Sequence, residues 1–212
     1  MDKLVLFGAG GSGREIAYLV ERINKVKPSF ELLGYIDDNE KMIGQVLNGY
    51  PVLGNTQWLI EHKDEVLCSV TIGLMKVRVA VCEKLAGLGV EFATLIDPGA
   101  SIGHDVSIGK GCIVNEYCEL PVNIKVGDYC FLNSDTCLGH DDVLGDYVIC
   151  NPHTVISGNV TIGNKVMMGG MSFVVQGAKI GDNAVVAPGS VVYGRVKENV
   201  HVMGNPARRV DL

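Results

Sequence analysis

The chain has 212 residues, 47% of them hydrophobic, and a formal net charge of −6. That length holds one or two domains with a real buried core, and the acidic balance speaks against a nucleic-acid binder. No stretch approaches the ~18 apolar residues of a membrane span. Asp2, and an apolar run that stops at Gly8, predict that no signal peptide is present.

The chain opens on a short apolar strand, Lys3-Leu4-Val5-Leu6-Phe7. It runs into Gly8-Ala9-Gly10-Gly11-Ser12-Gly13 and then into a helical pattern from Arg14 to Val20. Strand, glycine turn and helix offer bare backbone N–H groups and a helix N-terminus to an anion. A second strand, Glu31 to Ile36, ends in Asp37-Asp38, where an acidic residue accepts from a ribose or a base. A third strand, Leu67 to Ile72, ends at Gly73 and leads to a helix from about Val77 to Leu88. Residues 1–95 therefore read as a small βαβ domain. The glycine motif alone fits a dinucleotide, a nucleotide sugar or an empty tight turn. The dinucleotide reading lacks a second nucleotide-binding half and a domain for hydride transfer.

From Ile96 to Val192 every sixth residue is Ile, Leu or Val, except Cys150 and Met168. Six matches neither the helical period nor plain alternation. It fits a flat strand that turns a corner in every unit, with a second, restrained side chain two places before each marked one, as at Cys112, Cys130 and Thr136. Glycines after the marked residue, such as Gly103 and Gly139, suit corners that need unusual backbone angles. One unit cannot bury its apolar face alone, whereas stacked units can. Residues 96–196 form this repeat and 197–212 a tail. The seven cysteines contain no Cys-x-x-Cys pair, and several fall on inward slots. They predict reduced core thiols in a cytoplasmic protein, not disulfides or zinc ligands.

His104 and His140 each follow aliphatic-Gly and precede Asp, thirty-six residues apart in the same slot. Histidine is the default base near neutral pH, and a neighbouring carboxylate fixes its tautomer. Periodicity does not choose between the two. His62 lies in a charged segment, and His201 lies in the tail.

The repeat resembles the left-handed parallel β-helix of the hexapeptide-repeat acyltransferases. The whole order, a Gly-rich βαβ domain followed by a hexapeptide prism, resembles the bacterial nucleotide-sugar and sialic-acid acetyltransferases. The resemblance implies a mainly β chain: a left-handed parallel β-helix preceded by a small α/β, Rossmann-like domain. It implies a nucleotide sugar held by Gly10, Gly11, Ser12, Asp37, Asp38 and Gly73, with Ser12 where the family often has His. The stretch Asn133 to Asp141 resembles the family's Asn…His-acid signature. It makes His140 the general base, Asp141 its helper, and Asn133 a group that fixes the imidazole, binds the sugar or caps a turn.

The resemblance further implies acetyl-CoA as acyl donor, lying along Gly158, Gly170 and Pro188, with a backbone N–H near Gly158 for the oxyanion. The ending Gly204-Asn205-Pro206-Ala207 matches the family's close, and Arg208 and Arg209 after it read either as partners of CoA phosphates or as a solvated end. A homotrimer is implied, with the site between subunits. Many members carry a second His nine residues after the base, where this chain has Ile149. His153, four residues on, is a nearby candidate to replace it, with a surface role as the other reading. The expected activity is acetyl transfer to the amine of a nucleotide-linked amino sugar. The alternatives are O-acetylation of sialic acid or another sugar hydroxyl, and a non-catalytic nucleotide-sugar-binding protein. A zinc enzyme of the carbonic anhydrase kind needs three convergent histidines, which the spacing of His104, His140 and His153 does not supply.

Overall fold

A computed structural model describes residues 1–211, which divide into two compact units, 1–97 and 98–211. The first unit carries β1 (Asp2–Phe7), α1 (Gly11–Val26), β2 (Phe30–Ile36), β3 (Val46–Leu47), β4 (Tyr50–Gly54), α2 (Thr56–His62), β5 (Leu67–Val70) and α3 (Met75–Gly87). The sheet order is β3-β4-β2-β1-β5, parallel except for the β3–β4 hairpin. The hairpin and α2 were not legible in the sequence.

Leu4, Val5 and Leu6 are fully buried, as a central parallel strand requires. Helix α1 buries Ile16, Ala17, Leu19 and Val20 on one face. The buried Asp97 carboxylate accepts from Arg22, with Nε at 2.8 Å, where the unit ends.

The glycine turn closes on itself. A Cβ at Gly13 would lie 1.9 Å from the Gly8 carbonyl oxygen, a backbone atom that cannot swing aside. Gly13→Ala therefore forces the loop open, and we expect it to destabilise the first unit by about 1–3 kcal/mol. Urea unfolding followed by α1 amide exchange checks this; wild-type stability would show that the loop relaxes freely.

The second unit is a three-faced prism of two-residue strands. One face stacks Ser107–Ile108, Lys125–Val126, Val143–Leu144, Thr161–Ile162, Lys179–Ile180 and Arg195–Val196, all parallel. A second stacks Ile113–Val114, Phe131–Leu132, Ile149–Cys150, Met167–Met168, Val185–Val186 and His201–Met203. The third runs from Ser101–His104 through Glu119–Val122 and Cys137 to Val155–Ile156, Phe173–Val174 and Val191–Val192. Neighbours on a face lie eighteen residues apart, which is three six-residue units per coil. The fold is the left-handed parallel β-helix that the family resemblance implied. The last coil is shorter by two residues, since Lys179 pairs with Arg195. Arg208–Val210 then folds back antiparallel on His201–Met203 and closes the end.

The corners differ from the expectation in one respect. Every sixth residue from Asp105 to Gly189 has φ between +55° and +74°, and most of these are Asn, Asp, Tyr or His rather than Gly. The glycines that directly follow the marked aliphatics keep negative φ. They are required for closeness: a Cβ on Gly139 would sit 2.2 Å from the Gly158 nitrogen of the next coil. Coils stacked at strand spacing leave no room there for a methyl group.

All seven cysteines are free thiols. Burial drives the Cys118 thiol up to about 12 and raises Cys130 and Cys150 well above the ordinary range, so these groups are inert packing. Among the described residues no helix is long and apolar enough to cross a membrane.

Candidate functional site

In the first unit a cleft of about 480 Å³ opens at the carboxyl ends of β1, β2 and β5. Gly10, Ser12, Asp37, Asp38 and Gly73 line it, and Gly11 does not. Helix α1 starts at this cleft with no side-chain cap, so its first amides remain open to an anion. Asp37 Oδ2 accepts from the Ala9 N–H at 2.9 Å and pins the glycine turn. Asp38 is spent otherwise: it accepts from Thr56 N at 2.7 Å and from Thr56 Oγ1 at 2.8 Å, at the start of α2, which Asn55 caps.

Thr71, which the sequence reading did not single out, donates its hydroxyl to the carbonyls of Phe7 and Gly8, each at 3.0 Å. Leu74, Val77 and Val81 give the cleft an apolar wall.

In the second unit His140 and Asp141 form one corner. Asp141 has φ +63°, a left-handed conformation that a short polar side chain tolerates. This turns its carboxylate onto the preceding ring, with His140 Nδ1 to Asp141 Oδ2 at 2.7 Å. Asn123, one coil earlier in the same corner slot, donates to Asp141 Oδ1 at 3.0 Å. The bonds from His140 and Asn123 hold the Asp141 carboxyl below its usual range, so it stays anionic. With Nδ1–H donated to Asp141, the tautomer assigned from this bond leaves the Nε2 lone pair free as a base. Asn159, one coil later, brings its amide to 3.5 Å from His140 Nδ1, and its N–H donates to the His140 carbonyl at 2.8 Å. Neither Asn123 nor Asn159 was foreseen. Their signal is the eighteen-residue spacing around Asp141, which has meaning only once the coil length is known.

The His140 ring lies over Gly158. A Cβ there would come within 2.6 Å of Nε2. Beneath the corner, Asp142 points into the prism and is fully buried. Its Oδ2 accepts from Gly139 N at 2.9 Å and its Oδ1 from Val160 N at 2.8 Å. Burial pushes this carboxyl up to about 6 despite those two bonds.

The other expected site residues sit elsewhere in one copy of the chain. Asn133 occupies the preceding corner, where its Oδ1 accepts from Asn115 Nδ2 at 2.8 Å and from Ser134 N at 2.9 Å. It makes no bond to His140. Gly170 and Pro188 stack on Asn133's corner in later coils, with the Gly170 carbonyl accepting from Gly189 N at 2.9 Å. Gly158 shares the corner of His140 instead. His153 lies on the corner of Asn133, 3.7 Å from the Asp135 carboxylate. Ile149 is buried in its strand and offers no polar group. His104 is exposed and makes no side-chain bond to a described residue. Among the described residues, no group of three His, Cys, Asp or Glu side chains converges to hold a metal.

Residues 3–85 match the PglD N-terminal domain family. Among solved structures, WeeI from Acinetobacter baumannii AYE is 29% identical, with 99% of this chain and 100% of that chain covered and a TM-score of 0.88. The acetyltransferase domain of PglB from Neisseria gonorrhoeae FA1090, solved with acetyl coenzyme A, is 26% identical over 98% of both chains, TM-score 0.88. PerB from Caulobacter crescentus, solved with CoA and GDP-perosamine, shares the fold at 22% identity, covering 100% of this chain and 98% of that one, TM-score 0.87. No match was found among the curated proteins.

Proposed function

We propose that this chain, a PglD N-terminal domain followed by an acetyltransferase prism, moves the acetyl group of acetyl-CoA to the amino group of a nucleotide-linked amino sugar. The observation that carries this reading is the dyad at one prism corner: an exposed imidazole bonded at 2.7 Å to an anionic carboxylate, with Nε2 left free. The open amides of α1 suit a diphosphate, and the apolar wall of Leu74, Val77 and Val81 suits the flat face of a base.

The amine attacks the thioester carbonyl carbon. His140 Nε2 takes the proton that the nitrogen sheds, and Asp141 stabilises the resulting imidazolium. The carbon–sulfur bond breaks, and the imidazolium returns the proton to the departing thiolate. The products are an amide and CoA. A backbone N–H near Gly158 is the proposed support for the oxyanion, an interaction typically worth about 3–4 kcal/mol. Gly170 and Pro188 stand on another corner from His140. A homotrimer that sets the His140 corner of one copy against the Gly170 corner of the next would gather both groups, with Asn133 beside them. Seven free thiols suit a reducing cytoplasm.

The test is incubation with acetyl-CoA and a panel of UDP-, GDP- and dTDP-linked amino sugars and of sialic acids, with CoA thiol release and product mass followed together. An N-acetylated nucleotide sugar is expected. An O-acetylated product would replace the acceptor, and binding of nucleotide sugars without turnover would make the chain a sensor.

A further inference from the structure

The inner slot of the prism takes small or aliphatic neutral side chains from Cys112 to Ser190, with one exception. Asp142 fills that slot with a carboxyl group, fully shielded from solvent, directly behind the His140 corner. A buried carboxylate costs several kcal/mol unless its oxygens are satisfied. Here each oxygen takes one backbone N–H, and the two donors lie on different coils: Gly139, the residue before His140, at 2.9 Å, and Val160, the residue after Asn159, at 2.8 Å. The same two corners already meet on the outside, where the His140 ring rests on Gly158 and the His140 carbonyl accepts from Asn159 N.

We infer that Asp142 is an interior positioning residue of the acetyltransferase site, a carboxylate clamp that ties the corner bearing His140 to the corner on which its ring rests. The inference rests on His140 being the base. The clamp works best as an anion, because two backbone N–H donors converge on it and a neutral carboxyl must turn a hydroxyl toward one of them. The titratable groups that face it are His140 and Asp141 on its own corner, Cys137 in the strand before, and Cys150 across the core. Asp141 opposes its ionisation, and His140 favours it when charged. Neither thiol carries charge near neutrality.

The fold alone has no use for this group. Its carboxyl ionises at about 6 in the folded chain against 3.8 in the ordinary case. Its contribution to stability is therefore complete below the lower value and lost as pH rises through the upper one. Around neutrality the ionised group burdens the prism, which is the pattern of a residue kept for function rather than for stability.

Asp142→Ser places a side chain that the prism already accepts at Ser172 and Ser190, and Asp142→Asn keeps the size without the charge. Both should lower kcat about 10- to 100-fold while leaving the KM for acetyl-CoA in place. The acid limb of the wild-type pH–rate profile should contain a proton uptake centred near about 6 that both variants lack. Thermal melts should show Asp142→Ser gaining on wild type as pH rises. In the wild-type protein the Gly139 and Val160 amide resonances should follow that same ionisation, a readout that needs no variant to fold. Amides that stay still through this range, or variants with wild-type kcat and an unchanged acid limb, overturn the assignment. The two readings separate cleanly: turnover that survives His140→Ala removes the base, whereas an unmoved acid limb in an enzyme that His140→Ala silences removes only the clamp.

Discussion

His140→Ala should lower turnover by about 10²–10⁴-fold, the usual contribution of a positioned general base, while His104→Ala should leave it near wild type. The two rings share one slot of the repeat, two coils apart, so their backbones are equivalent. Asn123 N donates to the His104 carbonyl at 3.0 Å as Asn159 N donates to that of His140 at 2.8 Å. Their side chains are not equivalent. His140 meets a carboxylate at 2.7 Å and rests on a bare glycine, Gly158. His104 has no such bond, and the residue one coil on from it is Val122. A base needs its tautomer fixed and its lone pair exposed, and only His140 has both. Steady-state rates for the two alanine variants at saturating acetyl-CoA check this. Equal losses would mean that the slot matters and the dyad does not.

The prism was legible because its signal is repeated in every unit, and each repetition reports the same inward side chain. A single aliphatic says little; the run from Ile96 to Val192 fits neither a helical nor an alternating period and favours stacked six-residue units over an antiparallel sandwich. What lies between the marked residues was harder to read. In the sequence Gly139 reads as a residue that supplies an unusual φ, yet Asp141 carries that angle and Gly139 supplies clearance for Gly158. Glycine serves both purposes, and sequence does not tell which. Asn133 looks like a partner of His140 along the chain, but six residues carry the backbone round a corner, and its bonds go to Asn115 and Ser134. In the first unit the strand–glycine–helix pattern gave the cleft, and a polar ending after β2 gave Asp37 and Asp38 together. Only the fold shows that Asp38 is committed to Thr56. Thr71 escaped notice because one threonine after an apolar strand carries no local signal. Asp142 escaped too, as the second of two adjacent acids, although it breaks the rule for the inner slot.

Gly158→Ala is the second large effect, and it acts on chemistry without touching the fold. The added Cβ would come within 2.6 Å of Nε2, 2.7 Å of Cε1 and 2.8 Å of Cδ2 of His140. All three atoms belong to a side chain that is 52% exposed, so the ring can swing into solvent and the backbone need not move. The same methyl group at Gly139 would meet the backbone nitrogen of Gly158 at 2.2 Å, and there the coils themselves must part. The pair therefore separates two kinds of damage. Gly158→Ala should keep the wild-type melting temperature and lose about 10²-fold in kcat, as a reacting group displaced by an ångström does. Gly139→Ala should lose stability first. The displaced ring also breaks the 2.7 Å bond to Asp141, so the carboxylate loses the larger of the two interactions that hold its pKa down and should titrate closer to an ordinary aspartate. Carbon-13 titration of the Asp141 carboxyl in the Gly158→Ala protein reads this directly. Full turnover with the ring displaced would mean that another group accepts the proton.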